Sequence, residues 1–360
     1  MSPKKKLRAL AVVLPQFHPI RENDEWWGKG FTEWTNVVKA RPRFAGHYQP
    51  HLPADLGFYD MRLLQTLIDQ ADMAKAHHIS GFCFYHYWFN GHRLLETPVN
   101  KILESGQPDF PFMLCWANEN WSRRWDGMDK EVLMKQEYSA GDHAAHAEYL
   151  CKNVFTDKRY IRISGKPFFI FYKPEIIPDL KETIKIWRET AKKCGFEDIY
   201  LAGIKTKSEQ WNDENQPGFD IWLDWQPDWE NLQIIPSLVD RIKNKFSIGK
   251  TYRKIDYAEV VERMISRKKP DLKHFNCVVP GWDNSARKKL DAFLMHDHTP
   301  ELYAKWLEHV CKVSEVYSEE ENFVFINAWN EWAEGNHLEP DQKWGKAFLK
   351  KTEEILEKYL

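Results

Sequence analysis

The chain has 360 residues, 43% hydrophobic and 29% charged, and its 51 Lys and Arg nearly balance 53 Asp and Glu for a net charge of −2. Nothing in that balance predicts the basic face that a nucleic-acid partner requires, and no run reaches the roughly 20 apolar residues of a membrane-spanning helix. The length suits one large domain or two ordinary ones.

Lys4, Lys5, Lys6 and Arg8 precede the apolar run Ala9–Leu14, an outline that a signal peptide shares. Pro15 ends that run early, short of the roughly 7–15 apolar residues of a secretory segment, and no small-residue cleavage site follows. The run therefore reads as a first strand, and the expected location is the cytoplasm. Residues from Pro15 to Asp60 form a long loop carrying Trp26, Trp27, Glu33 and Trp34; loops this long inside compact domains are usually functional. Met61–Ala76 then repeats apolar residues at helical spacing. Ser80–Tyr87, Pro111–Trp116, Pro167–Tyr172, Ile199–Gly203, Phe219–Asp224, Phe275–Val279 and Phe323–Ala328 are further short runs rich in β-branched and aromatic residues. Helical patterns at Asp142–Val154, Leu180–Lys193, Tyr257–Ser266, Pro300–Val316 and Lys346–Tyr359 separate several of them. The runs are continuously apolar, the mark of parallel strands covered on both faces. Eight such strands with helices between them predict an α/β fold, a single (β/α)8 TIM barrel over residues 1–360 with long Trp-rich βα loops. An open doubly wound sheet is the competing arrangement.

The six cysteines show no CxxC pair and no zinc-ligand spacing, and read as small buried residues in a reduced chain. Gly28-Lys29-Gly30 lacks the third glycine of a dinucleotide loop, and there is no phosphate-binding P-loop. His86 with His92, His77-His78 and His296-Asp297-His298 are weak metal candidates, and no Asp-x-Asp motif is present to hold a metal and diphosphate. No cofactor is expected.

Seventeen tryptophans are the unusual feature. Thirteen fall in loops or strand ends, at 26, 27, 34, 88, 116, 121, 125, 222, 225, 229, 282, 329 and 332. Each indole N–H wants a partner, so tryptophan clustered with polar residues suggests a recognition surface. In a (β/α)8 barrel the site lies at the C-terminal strand ends. Those ends carry His18; Tyr87 and Trp88; Trp116, Asn118, Glu119 and Trp121; Tyr172; Asp224; Trp282 and Asp283; and Asn330, Glu331, Trp332 and Glu334. Indoles cover the C–H faces of a sugar, and carboxylates and amides pair with its hydroxyls. Such a rim predicts an oligosaccharide or polysaccharide substrate, with His18, Glu33, Trp34, Tyr87, Trp88, Trp116, Asn118, Glu119, Trp121, Tyr172, Asp224, Trp282, Asp283, Asn330 and Trp332 as its contacts. Glu331 and Glu334 are the predicted catalytic pair. Glycosidic chemistry needs one ionised and one protonated carboxyl, and two neighbouring carboxyls between tryptophans push their pKa values apart. Glu119 offers a second pairing, as acid/base with Glu331 the nucleophile across the barrel mouth; otherwise it is a carboxylate that contacts substrate or supports residues that do. Glu33 is a substrate contact or a loop-stabilising carboxylate.

The segments LPQFHPIRENDEWWGKGFTEWTNV (14–37), GHYQPHLPADLGFYD (46–60), GFCFYHYWFNG (81–91), PFMLCWANENWSRRWDG (111–127), PGWDNSAR (280–287) and NAWNEWAEGNHLEPD (327–341) resemble the WbsX-type glycosyltransferases of O-antigen and lipopolysaccharide biosynthesis. More remotely, the chain is similar to the family 99 glycoside hydrolases, (β/α)8 endo-acting α-mannosidases with a Glu-Trp-His-Glu-Gly motif. Here that motif stands as Glu331-Trp332-Ala333-Glu334-Gly335, with alanine in place of histidine. The resemblance implies that Glu331 deprotonates the sugar 2-hydroxyl and that Glu334 is the general acid. It implies breakage or transfer of a glycosidic bond in a bacterial polysaccharide. A nucleotide-sugar-dependent transferase, whose donor or acceptor is a nucleotide sugar or lipid-linked glycan, is the alternative. A non-catalytic carbohydrate-binding barrel and a metal-dependent barrel hydrolase are others.

Overall fold

The computed structural model describes residues 6–123, 128–205, 217–232, 252–288 and 291–360. Lys4 and Lys5 of the basic N-terminal run and Trp125 lie outside them. Eight strands match the eight predicted runs: β1 (Arg8–Val13), β2 (Ile79–Phe89), β3 (Phe112–Trp116), β4 (Lys166–Phe171), β5 (Tyr200–Lys205), β6 (Ile221–Asp224), β7 (His274–Val278) and β8 (Phe323–Ile326). Each pairs in parallel with the next in sequence. β8 then returns to β1, with Arg8 opposite Phe323 and Ala11 opposite Ile326, so the sheet closes into a barrel.

Closure explains the uninterrupted apolar runs: one face of each strand fills the barrel and the other meets the helices. Every residue of β3, β6, β7 and β8 is buried. Phe168 of β4, Phe275 of β7 and Phe323 of β8 meet across the interior, with ring centroids 5.4–6.0 Å apart. They lie near the N-terminal ends of their strands and seal that end. Two glycines permit close approach. A Cβ on Gly81 would stand 2.8 Å from the Pro111 carbonyl oxygen, and one on Gly203 2.7 Å from the Phe219 ring.

The helices described are α1 (Arg21–Trp27), α2 (Glu33–Lys39), α3 (Leu64–Ala76), α4 (Thr97–Ser105), α5 (Ala140–Asn153), α6 (Leu180–Lys193), α7 (Tyr257–Ser266), α8 (Pro300–Val313) and α9 (Ala347–Leu356). Among the described residues, none is long and apolar enough to cross a membrane. The sequence pattern anticipates α3 and α5–α9 and misses the shorter α1, α2 and α4. α1 and α2 span only two turns each, too short for a period to register, and they fold the predicted 15–60 loop over the barrel mouth. Several small additions were also not expected, two of them larger than the rest. One is a three-stranded sheet of Tyr252–Asp256, Trp282–Asp283 and Ala292–His296; the other pairs Trp121–Arg123 with Met128–Met134.

Candidate active site

A cavity of about 530 Å³ opens among the C-terminal strand ends. Leu14 and Gln16 follow β1, Tyr85 and Tyr87 end β2, Glu119, Asn120 and Trp121 follow β3, and Tyr172 follows β4. Trp225 and Trp229 come from beyond β6, Trp282, Asn284, Arg287 and Lys288 from beyond β7, and Asn327, Glu331 and Glu334 from beyond β8. Aromatic faces and hydrogen-bonding groups therefore alternate around one space, the composition that suits a small polar ligand with apolar faces.

The segment after β8 presents the two glutamates by local geometry. Asn330–Glu331 pairs antiparallel with Asn336–His337, and a 3₁₀ turn over Trp332–Glu334 joins them. Three residues per turn bring positions i and i+3 onto one side, so Glu331 and Glu334 face the same way. Gly335 closes the turn at φ 55°, and a Cβ there would stand 3.0 Å from that of Asp283. The loop is anchored from behind. Asn330 Oδ1 accepts the Leu14 N–H at 2.7 Å, and its Nδ2 donates to the Leu14 carbonyl and to Tyr59 Oη, each at 3.1 Å. The buried Glu339 carboxyl accepts from Trp332 Nε1 at 2.6 Å, Tyr59 Oη at 2.8 Å and Gln70 Nε2 at 2.7 Å. Burial pushes Glu339 up to about 7.

Arg287 is the hub of the site. Its Nη2 donates to Glu331 Oε2 at 2.7 Å, and its Nη1 stands 2.6 Å from Glu334 Oε1. Its Nε and Nη2 both donate to Glu33 Oε1, at 2.9 and 2.6 Å. Three carboxyl groups thus surround one guanidinium, whose side chain is 10% exposed. One positive charge cannot offset three negative charges out of water. Burial pushes Glu331 up to about 8, with Arg287 opposing and Glu334 and Glu33 adding to the rise. Burial also raises Glu334 against the pull of Arg287. Burial lifts the Tyr85, Tyr87 and Tyr172 phenols, so these stay protonated hydrogen-bond donors around the cavity.

Of the predicted residues, Tyr87, Glu119, Trp121, Tyr172, Trp282, Glu331 and Glu334 line the cavity. Glu119 does so paired with Lys173 at 2.5 Å. The others lie behind the wall. Glu33 is wholly buried and reaches the site through Arg287. Trp34 Nε1 donates to the Tyr59 carbonyl at 2.9 Å, and its ring packs on Trp332. Trp332 stacks on His337 at 3.9 Å. Trp88 stacks on His146 at 4.5 Å and donates to Asp142 at 2.8 Å. Trp116 is packed between His146 and Trp187. Asn118 clamps the backbone of Lys173 through both ends of its amide, at 2.7 Å each. Asp224 pairs with Arg267. Asp283 accepts from His47 at 2.6 Å and Gln49 at 2.7 Å, and these partners, against the effect of its burial, hold it down at about 2. His18 is buried within reach of the Asp60 and Arg62 charges, and burial lowers it to about 4. These side chains hold the mouth in shape. For those at strand ends the reason is common: strand-end position alone does not say whether a side chain points into the barrel mouth or back into the layer beneath. Sequence reasoning left Trp225, Trp229, Asn284 and Lys288 out of the predicted contacts, and above all it missed Arg287. It lies in the quoted PGWDNSAR segment, and the signal available was the need for a cation beside two adjacent carboxyls.

One group of described residues brings potential metal-ligand atoms within 4.8 Å of one another: His51, His337 and Asp341. Hydrogen bonds account for it. His337 Nδ1 lies 2.9 Å from the Glu339 carbonyl, which can only accept, so Nδ1 carries the proton and Nε2 is left to accept from His51 Nδ1 at 2.9 Å. Asp341 Oδ1 accepts the Trp344 N–H at 2.5 Å.

A family model described as Glycosyltransferase WbsX matches residues 9–352. The protein WxcX of Xanthomonas campestris pv. campestris, from strains B100 and ATCC 33913, is 39% identical over 350 residues, 96% of this chain and 49% of the relative. The chain thus spans about half the length of the curated relatives it matches. Among solved structures, a glycoside hydrolase-like protein superposes with a TM-score of 0.60 at 13% identity, covering 99% of this chain and 95% of the other. The GH99 endo-alpha-mannosidase from Bacteroides thetaiotaomicron gives a TM-score of 0.60 at 12% identity, covering 98% and 97%. At such identities these likenesses establish the (β/α)8 barrel.

Proposed function

Because the chain belongs to the Glycosyltransferase WbsX family, we propose that it breaks a glycosidic bond in a bacterial polysaccharide of O-antigen or lipopolysaccharide type, retaining the anomeric configuration and passing the sugar to water or to an acceptor hydroxyl. The observation that carries this reading is the placement of Glu331 and Glu334 on one side of a turn, both on Arg287, at an aromatic-walled cavity. A family of transferases and a site with two carboxyls agree if the acceptor replaces water in the second step. Assembly in the cytoplasm is part of the same proposal.

In the first step Glu331 takes the proton of the sugar 2-hydroxyl, whose oxygen attacks the anomeric carbon. The bond to the leaving oxygen breaks and Glu334 gives that oxygen its proton. In the second step the Glu334 carboxylate takes a proton from the incoming water or hydroxyl, which opens the three-membered ring at the anomeric carbon. The 2-oxygen recovers its proton from Glu331. Two inversions give net retention. Burial suits both groups to these tasks: a carboxylate with a raised pKa is a stronger base, and a carboxyl with a raised pKa holds its proton more firmly than an ordinary one. Trp121, Trp225, Trp229 and Trp282 supply apolar faces for the sugar rings.

The test is turnover of α-linked oligosaccharides, α-mannosides included, beside a panel of nucleotide sugars, with the wild type and Glu334→Gln. Loss of roughly 10²–10⁴ in rate with glycan binding retained supports the reading. Unchanged turnover in the variant refutes it. Turnover of a nucleotide sugar with no action on a glycan replaces it with donor-nucleotide chemistry.

A further inference from the structure

We propose that Glu33, which has no surface on the cavity, is the positioning residue that sets the guanidinium of Arg287 across the two catalytic glutamates and commits part of its charge away from them. The proposal rests on the reading of Glu331 and Glu334 given above.

Glu33 is rigidly mounted. It begins α2, its backbone N–H donates to the Gln16 carbonyl at 3.0 Å, and it is fully buried. A single oxygen, Oε1, receives both Nε and Nη2 of Arg287, which fixes the plane of the guanidinium. With that edge held, the outer N–H groups point to Glu331 through Nη2 and to Glu334 through Nη1. Among the described residues the other Glu33 oxygen, Oε2, is buried without a hydrogen-bond partner. A buried carboxyl oxygen left without a donor costs stability, so an otherwise apolar position would be the cheaper choice for folding alone. What Glu33 contributes instead is orientation and charge at the site. Three carboxyl groups then share one guanidinium, and the charge of Glu33 helps drive Glu331 and Glu334 upward. The other groups facing the pair are few. Tyr85, Tyr87 and Tyr172 lie within electrostatic reach of Glu331, Lys288 acts on Glu334, and Glu119 with Lys173 stands on the β3–β4 side of the cavity.

Infrared spectroscopy of the carboxyl stretch against pH tests this without any substrate, on the full chain, with Glu331→Gln and Glu334→Gln used to assign the bands. In Glu33→Gln the amide oxygen still accepts from Arg287, but a negative charge is gone. The titration of Glu331 and Glu334 should move down by about one pH unit or more, roughly a tenfold change in proton affinity. A midpoint that stays in place or rises overturns the proposal. Arg287→Lys keeps the charge and loses the fork, so one ammonium cannot span three carboxyls; there the midpoints should rise, and unchanged midpoints again overturn it. A shift as expected in a protein inactive on every glycan would leave this device standing and sink the proposed reaction instead.

Discussion

Replacing Arg287 by Met removes one positive charge from a buried group of three carboxyls while keeping most of the side-chain volume. The structure sets the size of the effect. Arg287 meets Glu33, Glu331 and Glu334 at 2.6–2.9 Å, and breaking one buried pair typically costs about 3–5 kcal/mol by stranding its partner. The stranded carboxyls can escape that cost by taking up a proton. Losing one positive charge should therefore make the folded state hold about one proton more, at pH values where an unfolded glutamate with a pKa of about 4.3 holds none. A group with its folded pKa raised stabilises below the unfolded value and loses that contribution as pH rises through the folded value. The variant should then be close to wild type at pH 5. It should fall behind by about 1.4 kcal/mol per pH unit, reaching roughly 4 kcal/mol by pH 8, if the extra proton is retained to that point. Urea unfolding of both proteins at pH 5, 6.5 and 8 measures this directly. A difference independent of pH, or one below about 1 kcal/mol at pH 8, would refute the view that Arg287 neutralises this cluster.

Three further outcomes follow from the same geometry. Trp88→Phe should lose about 1–3 kcal/mol of stability, because the Asp142 oxygen it satisfies at 2.8 Å is left buried without that donor; kcat/KM on any glycan the wild type accepts should change less than twofold, and a large loss of turnover would return Trp88 to the substrate. Glu339→Ala strands three buried donors, from Tyr59, Trp332 and Gln70, and should cost at least about 3 kcal/mol in thermal or urea unfolding, whereas Glu339→Gln, which still offers an accepting oxygen, should cost less; equal losses would contradict the assignment. The acidic limb of kcat/KM reports the free enzyme's base, and since burial pushes Glu331 up to about 8, that limb should lie well above the ordinary carboxylate range; a limb near pH 4–5 would exclude Glu331 as the base.

The barrel was legible because its signal is strong and local. Continuous apolar runs such as Phe323–Ile326 have no stable place except between two covered faces. The glutamate pair was legible for a similar reason, since i, i+3 spacing after a buried strand needs only one turn to align it. The cavity wall was less so. Trp116 ends β3, and Trp121 and Trp282 come shortly after β3 and β7, yet Trp116 points back onto Trp187 while Trp121 and Trp282 face the cavity. That difference depends on side-chain direction at the strand end, which composition does not carry. Glu33 and Arg287 lie 254 residues apart, so their pairing depends on closure of the whole barrel and leaves no trace in local spacing.

The bonds between Asn330 and Leu14 cross 316 residues. They staple the loop bearing both glutamates to the end of the first strand, where the last strand closes the ring. During synthesis the first strand leaves the ribosome with one edge unmatched, and that edge must wait until residues beyond 323 emerge. Contacts so distant in sequence form late, after shorter loops have closed. The loop that carries both glutamates therefore takes its final place against Leu14 only after the last strand has closed the ring.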